Sequence, residues 1–258
     1  MITAKKSLGQ NFLKDQNVIN NIVNSAQISP EDLVIEIGPG QGALTKIISQ
    51  IGCKFIAFEI DERMHEKLDC LVNNNVSIIY KDILNVDLKE ELKNYSYKKI
   101  KVIANLPYYI TSPIIEKLIL SDLNIDEIIV MVQKEVADRF SATNGTKEYG
   151  FMTVFLNLYY NVTKLFNVKN TCFDPIPKVD SAVIKMTRKN NIIFNITNIK
   201  KFLTLAFSHK RKTLKNNLPK ELWEQVLPIL KSKGYSDSVR AEEISVDDYI
   251  YICNQIHI

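Results

Sequence analysis

Long apolar runs are missing from this chain. Its most hydrophobic stretches, such as Ile125 to Val132, are short and broken by charges, far from the roughly 18 apolar residues that a membrane-spanning helix needs. No membrane anchor is expected. The first residues, Met1-Ile2-Thr3-Ala4-Lys5-Lys6, lack the apolar core and small-residue cleavage site of a signal peptide, which points to a cytoplasmic protein. Cysteine and histidine are scarce: Cys53, Cys70, Cys172 and Cys253 show no C-x-x-C spacing, and three histidines are all that could join them. Neither a disulfide framework nor a zinc site follows from such a set, and no metal is expected. Excess charge is small as well. A formal net charge of +4 over 258 residues is too little to name a partner, so the distribution of charge matters more than its sum.

That distribution is uneven. Lys210, Arg211, Lys212 and Lys215 crowd one segment, and Lys185, Arg188 and Lys189 crowd another. Each cluster taken alone reads equally well as a solvated face or as a patch facing nucleic acid. The chain is long enough to bury a full core, with room for one large domain and a small appended one. From about Leu33 to Arg188, apolar β-rich runs alternate with helical patterns, the rhythm of a doubly wound α/β sheet. Strands are predicted at Leu33 to Ile37, Lys54 to Phe58, Val76 to Ile79, Ile100 to Ala104, Ile125 to Val132, Val162 to Val168 and Ala182 to Thr187. Helices between the first five imply a mainly parallel sheet, and the last two suit an antiparallel hairpin. A ligand then belongs outside the carboxyl ends of the strands. The polar segment Lys189-Asn190-Asn191 marks a boundary between domains at 1–189 and 190–258, because Phe202, Leu203, Leu205, Ala206 and Phe207 beyond it recur at helical spacing. The remainder, with Leu222, Trp223, Val226, Leu227 and a helix-like stretch from Val246, reads as a small all-helical domain.

The first strand ends in Glu36-Ile37-Gly38-Pro39-Gly40-Gln41-Gly42. Glycines belong in such a strand-to-helix turn because the backbone must bend tightly and let a ligand approach with no Cβ in the way. With Ala43, the run also fits a dinucleotide fingerprint, and Glu59 stands about 20 residues on, where a ribose-binding acid would. At this point a nicotinamide-dependent enzyme is a serious reading. Asp82 shifts the balance, because Glu59-Ile60 and Asp82-Ile83 repeat an acid-then-isoleucine pattern at neighbouring strand ends. Glu59 can accept from both ribose hydroxyls, Asp82 from an adenine amino group, and Ile60 and Ile83 can sandwich the ring. The plain alternative is that both acids merely cap helices.

The fourth strand ends in Asn105-Leu106-Pro107-Tyr108. The exocyclic amine of adenine is a poor nucleophile because its lone pair is delocalised into the ring. Two acceptors facing its two protons pull the nitrogen toward a pyramidal geometry and free the lone pair. The side-chain oxygen of Asn105 and the carbonyl of Leu106 can supply them, Pro107 fixes the turn and removes a competing N–H, and Tyr108 can stack on the base.

These residues resemble the ribosomal small-subunit RNA adenine N6,N6-dimethyltransferases, the KsgA/RsmA family. The likeness extends over nearly the whole length. Lys6-Ser7-Leu8-Gly9-Gln10-Asn11-Phe12-Leu13 resembles the family's N-terminal motif, Gln133-Lys134-Glu135-Val136-Ala137-Asp138-Arg139 a segment after the fifth strand, and Phe173-Asp174-Pro175-Ile176-Pro177-Lys178-Val179-Asp180-Ser181 the loop beside the target base. The resemblance implies a Rossmann-like class I methyltransferase domain and S-adenosyl-L-methionine as cofactor, touched by Gln10, Asn11, Leu13, Gly38, Gly40, Glu59, Ile60, Asp82, Ile83 and Asn105. It implies that Asn105, Leu106, Pro107 and Tyr108 carry catalysis, with Phe173 packing on a flipped adenine. Lys178, Lys210, Arg211, Lys212 and Lys215 would meet RNA, and the partner would be 16S rRNA within the 30S subunit, engaged by a monomer. Taken alone, Phe173 could equally be a core aromatic. The sequence departs from the family at Tyr109, where Asn is frequent, and at Lys210, where Arg is common; lysine cannot reproduce arginine's bidentate fork.

Other readings remain to be weighed. The macrolide-resistance methyltransferases share this chemistry on large-subunit RNA, but usually lack the Lys-Ser-Leu-Gly lead and carry Ile where Leu106 stands. A ribosome-assembly factor or a mitochondrial-type transcription factor could keep the fold without catalysis, which the intact Asn105, Pro107 and Tyr108 argue against. Nothing after the glycine turn supplies hydride chemistry.

Overall fold

The computed structural model describes residues 2–190 and 194–256; Asn191, part of the expected boundary, lies outside them. Among the described residues nine strands form: β1 (Phe12–Leu13), β2 (Leu33–Ile37), β3 (Lys54–Glu59), β4 (Val76–Tyr80), β5 (Ile100–Asn105), β6 (Ile125–Gln133), β7 (Tyr160–Val168), β8 (Phe173–Asp174) and β9 (Ser181–Arg188). Seven make one sheet in the order β4-β3-β2-β5-β6-β9-β7. β2, β3 and β5 are buried on both faces, which is why they read as near-continuous apolar runs. β2 pairs in parallel with β3 on one side and β5 on the other. The chain winds outward in both directions from β2, so a crevice opens at its carboxyl end.

Register aligns that end. Ile37 stands opposite both Phe58 and Ala104, so the next residues, Gly38, Glu59 and Asn105, stand at one level along the edge of the sheet. β9 inserts between β6 and β7 and runs antiparallel to β6. β1 and β8 pair as a separate two-stranded sheet, with Phe12 opposite Asp174 and Leu13 opposite Phe173.

Helix Gln16–Ala26 shows how local sequence builds this layer. Asp15 caps its start, accepting from the N–H groups of Asn17 and Val18, which supplies partners for donors that the helix leaves open. Its buried residues Ile19, Ile22, Val23 and Ala26 form one stripe, and burying each of the larger three contributes about 1.5–3 kcal/mol. They join Leu13, Val34, Phe55, Ile103, Ile129, Val183 and Phe173 in a single core. Below the helix end, the ammonium of Lys101 donates to the carbonyls of Ala26 at 2.7 Å and Gln27 at 2.8 Å and meets Asp32 at 3.1 Å. The charge is thus paired at the end of the sheet away from the crevice.

The chain divides into two compact units, Met1–Ala137 with Thr163–Arg188, and Asp138–Val162 with Lys189–Ile258. One boundary between these units lies at Arg188 and Lys189, beside the polar segment, and residues 138–162 group with the helical unit. Helix Phe151–Tyr159 buries Val154, Phe155, Leu156 and Leu158, a surface too broad for one stripe. Within its unit, the Tyr149 hydroxyl donates to the Ile244 carbonyl at 2.9 Å and the Gly145 N–H to that of Glu242 at 2.7 Å. Helices Ile196–Ala206, Leu214–Asn217, Lys220–Ser232 and Val246–Gln255 complete the unit. Tyr249 sits between Phe202 and Phe207, with centroids at 6.0 and 5.9 Å. Among the described residues, no helix is long and apolar enough to cross a membrane, and no group of side chains is assembled for a metal ion.

Candidate active site

A cavity of about 200 Å³ opens at the carboxyl edge of the sheet. Its floor is the glycine turn after β2, its sides are Glu59 with Ile60 and Asn105 to Tyr108, and its cover is the segment from Leu8 to Lys14, with Asp174 at the rim. Gly40 has a φ of 55°, and a Cβ there would come within 3.1 Å of the Phe12 ring, so only glycine fits beneath the cover. At Gly38, with φ 69°, a side chain would project into open space, which a ligand can therefore enter.

Glu59 is buried and its two oxygens are separately engaged. One accepts from the Gly40 N–H at 2.8 Å and the other from the Asp61 N–H at 2.8 Å. Each oxygen retains a lone pair, so the carboxylate can still accept two hydroxyl protons. Burial raises its pKa, opposed by those backbone donors. Glu36, on β2, accepts from the Thr45 hydroxyl at 2.7 Å, and burial pushes its pKa up to about 8. It is therefore largely protonated at neutral pH and adds no net charge behind the turn.

Asn105 has a fixed amide. Its Nδ2 donates to the Asn11 carbonyl at 3.1 Å, which assigns the other end of the group, Oδ1, as a free-standing acceptor. The Leu106 N–H donates to the Met131 carbonyl at 3.2 Å, while the Pro107 carbonyl accepts from the Ile110 N–H at 3.3 Å and the Thr111 hydroxyl at 3.1 Å. The turn is held from both sides. The Tyr108 hydroxyl lies 2.7 Å from the Ser181 hydroxyl, and burial raises its pKa.

The cover is tethered by Asp61. This carboxylate is only 2% exposed and accepts from Arg63 Nη2 at 2.6 Å, Arg63 Nε at 2.9 Å, Gln10 Nε2 at 2.9 Å and Lys5 Nζ at 3.4 Å. The Arg63 hydrogen bonds, more than any other influence, hold its pKa well below the usual carboxylate range. Gln10 is both cavity wall and tether.

The chain matches the ribosomal RNA adenine dimethylase family over residues 1–257. It belongs to that family. It is 41% identical to the ribosomal RNA small subunit methyltransferase A of Leuconostoc mesenteroides, covering 96% of this chain and 88% of that protein. The like-named protein of Streptococcus pneumoniae serotype 2 is 42% identical, covering 96% and 90%. A crystal structure of a dimethyladenosine transferase from Plasmodium falciparum superposes with a TM-score of 0.78 at 27% identity, covering 93% of this chain and 95% of that one. That of the 23S rRNA methyltransferase ErmE gives 0.71 at 22%, covering 95% and 99%, and shows the fold alone. The enzyme is thus an rRNA adenine dimethyltransferase with a Rossmann-like sheet.

In this enzyme the cavity gathers Gln10, Asn11, Leu13, Gly38, Gly40, Glu59, Ile60, Asn105, Leu106, Pro107 and Tyr108 from distant segments. Two expected cofactor contacts lie outside this lining, and one expected base contact is turned inward. Asp82 does not line the cavity; its carboxylate caps a short turn, accepting from the Leu84 N–H at 2.9 Å. Ile83 is 5% exposed and is likewise outside the lining. Phe173 is fully buried in the core, paired with Leu13, so its ring presents no face to a base. Its neighbour Asp174 reaches the rim instead, as strand alternation requires. Lys178, Lys210, Arg211, Lys212 and Lys215 are all exposed. The sequence reading passed over Asp61 and Glu36 as site components, although Asp61 completes the run Glu59-Ile60-Asp61 at the strand end.

Proposed function

We propose that the enzyme transfers methyl groups from S-adenosyl-L-methionine to N6 of two adjacent adenines in the 16S rRNA of the small (30S) subunit, giving N6,N6-dimethyladenosine during subunit biogenesis in the cytoplasm. The observation that carries the chemistry is the Asn105 amide, oriented by its bond to Asn11.

The residues present fit an adenosine-type cofactor. Glu59 keeps two acceptor sites for ribose hydroxyls, Gly38 leaves open approach, and Ile60, 50% exposed, offers an apolar surface to a ring. When bound, S-adenosylmethionine supplies a methyl group activated for nucleophilic attack. The protein's task is to prepare the amine. Oδ1 of Asn105 and the carbonyl of Leu106 accept its two hydrogen bonds, Pro107 withholds an N–H, and the half-buried ring of Tyr108 holds the base. A proton leaves the methylated nitrogen for water, so no general base is required. A flipped adenine reaches this site only out of its stack, and without Phe173 the stacking partner is Tyr108. We assign the exposed Lys178, Lys210, Arg211, Lys212 and Lys215 to RNA phosphates. The names of the bacterial relatives support the small subunit as target.

The test is to incubate the protein with labelled cofactor and either undermethylated small subunits or large-subunit RNA, then map the label by mass spectrometry. Dimethylated adjacent adenines in small-subunit RNA are expected; label in large-subunit RNA overturns the assignment.

A further inference from the structure

The loop from Asp174 to Ser181 begins and ends at the active site. Asp174 stands on the cavity rim, and the Ser181 hydroxyl is 2.7 Å from that of Tyr108. Between these feet the loop is braced. The Asn170 side chain donates to the Pro177 carbonyl at 3.1 Å, the Asn170 N–H to the Asp180 carboxylate at 3.0 Å, and the Lys134 N–H to the Asp180 carbonyl at 3.0 Å. Two prolines restrict it further. Yet Ile176 is 60% exposed and Val179 45%, with exposed Lys178 between them. The two aliphatic side chains lie on one braced loop whose feet are at the cavity, a small exposed apolar surface open to a partner.

We propose that Ile176, supported by Val179, is a wedge that enters the RNA stack next to the target adenine and fills the place the extruded base leaves. The inference rests on the RNA-adenine reading above. A flipped base leaves a gap between its neighbours, and apolar side chains inserted between base steps are a general means of holding nucleic acid unstacked. The cation at Lys178 favours RNA as the occupant over an apolar protein surface, since a phosphate flanks every base. Ile176 is a positioning residue: it touches the neighbours of the reacting base, not its amine.

The test replaces the target adenine, in a protein-free fragment of small-subunit RNA, with 2-aminopurine, whose fluorescence rises when it leaves the stack. Ile176→Ala is expected to lower the ratio of extruded to stacked base about tenfold, equivalent to about 1.4 kcal/mol, while cofactor affinity stays as in the parent. Ile176→Leu should restore it. On an oligonucleotide whose target adenine is already unpaired and unstacked, parent and Ile176→Ala should methylate at the same rate. Equal extrusion by parent and Ile176→Ala overturns the wedge, and so does a defect confined to assembled subunits, which would make a ribosomal protein the occupant. Failure of the parent itself to methylate small-subunit RNA would instead refute the underlying reading, so the two are told apart.

Discussion

Asn105 carries the proposed chemistry, because its oxygen is aimed by a bond made through its nitrogen. The acceptor gains most as the amine pyramidalises, so its loss falls on the transition state more than on binding. By analogy with removal of one preorganised donor from an oxyanion hole, Asn105→Ala should lose on the order of 10²–10³ in turnover, read as single-turnover rates at saturating cofactor; near-normal rates would make the tetrapeptide structural. Glu36 gives a prediction in pH. Its folded pKa, about 8, lies above the ordinary value of 4.5, so the folded state holds a proton that the unfolded chain releases. This contribution is full below pH 4.5 and is lost as pH rises toward 8. Glu36→Gln keeps a neutral group of the same size, and denaturant titrations across that window should show its stability falling less than the parent's. Phe173 shows what residue-level reading misses. An aromatic beside two prolines looks like a binding residue, but which face of a two-residue strand turns inward depends on pairing with Leu13. With its ring in the core, Phe173→Ala should cost about 3–5 kcal/mol of stability, measurable by thermal and denaturant unfolding, and a variant as stable as the parent would return the ring to the surface. Asp82 shows a similar ambiguity: an acid after a strand can serve a ligand or a backbone turn, and here one of its oxygens accepts from the Leu84 N–H.

At the scale of elements, the central strands were legible because each is a run of apolar residues buried on both faces, and the predicted ends fall within a residue or two of those observed for all seven. The glycine turn and the tetrapeptide followed from them. The pairing of β1 with β8 was not legible: two residues each carry no periodicity, and their partners lie at opposite ends of the sheet domain in sequence. That pairing, with Asp61, makes the segment over the cavity a strap. Asp61 holds it by charge-assisted bonds to Gln10 and Lys5, while Arg63 also reaches the Thr3 carbonyl at 3.3 Å. Asp61→Asn removes the charge and keeps the shape. Losing one charge-assisted hydrogen bond of about 1.5 kcal/mol should weaken cofactor binding roughly tenfold and raise its KM, with kcat on saturating cofactor little changed. The parent's strap should survive mild acid, because the folded pKa lies below the ordinary 3.8 and the contribution disappears only as pH falls through it. Calorimetry showing parent-like affinity in Asp61→Asn would mean that strand pairing alone secures the strap.

Over the whole molecule, the proposed chemistry and the proposed docking fall in different units. Every residue lining the cavity belongs to the sheet unit, whereas the basic run from Lys210 to Lys215 belongs to the helical unit. The apolar helix Phe151–Tyr159 carries no single stripe that assigns it to either body in the sequence, and it is the bonds from Tyr149 and Gly145 to the turn around Ile244 that tie its segment to the helical unit. Within the basic run the charges are not equivalent. Lys210 donates to the Lys147 carbonyl of its own unit, whereas Arg211 and Lys212 are exposed cations in a loop. A net charge of +4 gives little general attraction, so the proposed docking relies on local cations to release counterions from RNA. Arg211→Glu with Lys212→Glu should therefore weaken subunit docking and make its logarithmic salt dependence shallower by roughly 1.5, the share of two phosphate contacts. Turnover at saturating subunits should stay near the parent's, because neither residue reaches the cavity. Filter binding across a salt series measures the first, and methyl incorporation at high subunit concentration the second. Docking with an unaltered salt slope would remove the helical unit from RNA recognition, and a loss of saturated turnover with normal docking would place these two side chains in the catalytic step instead.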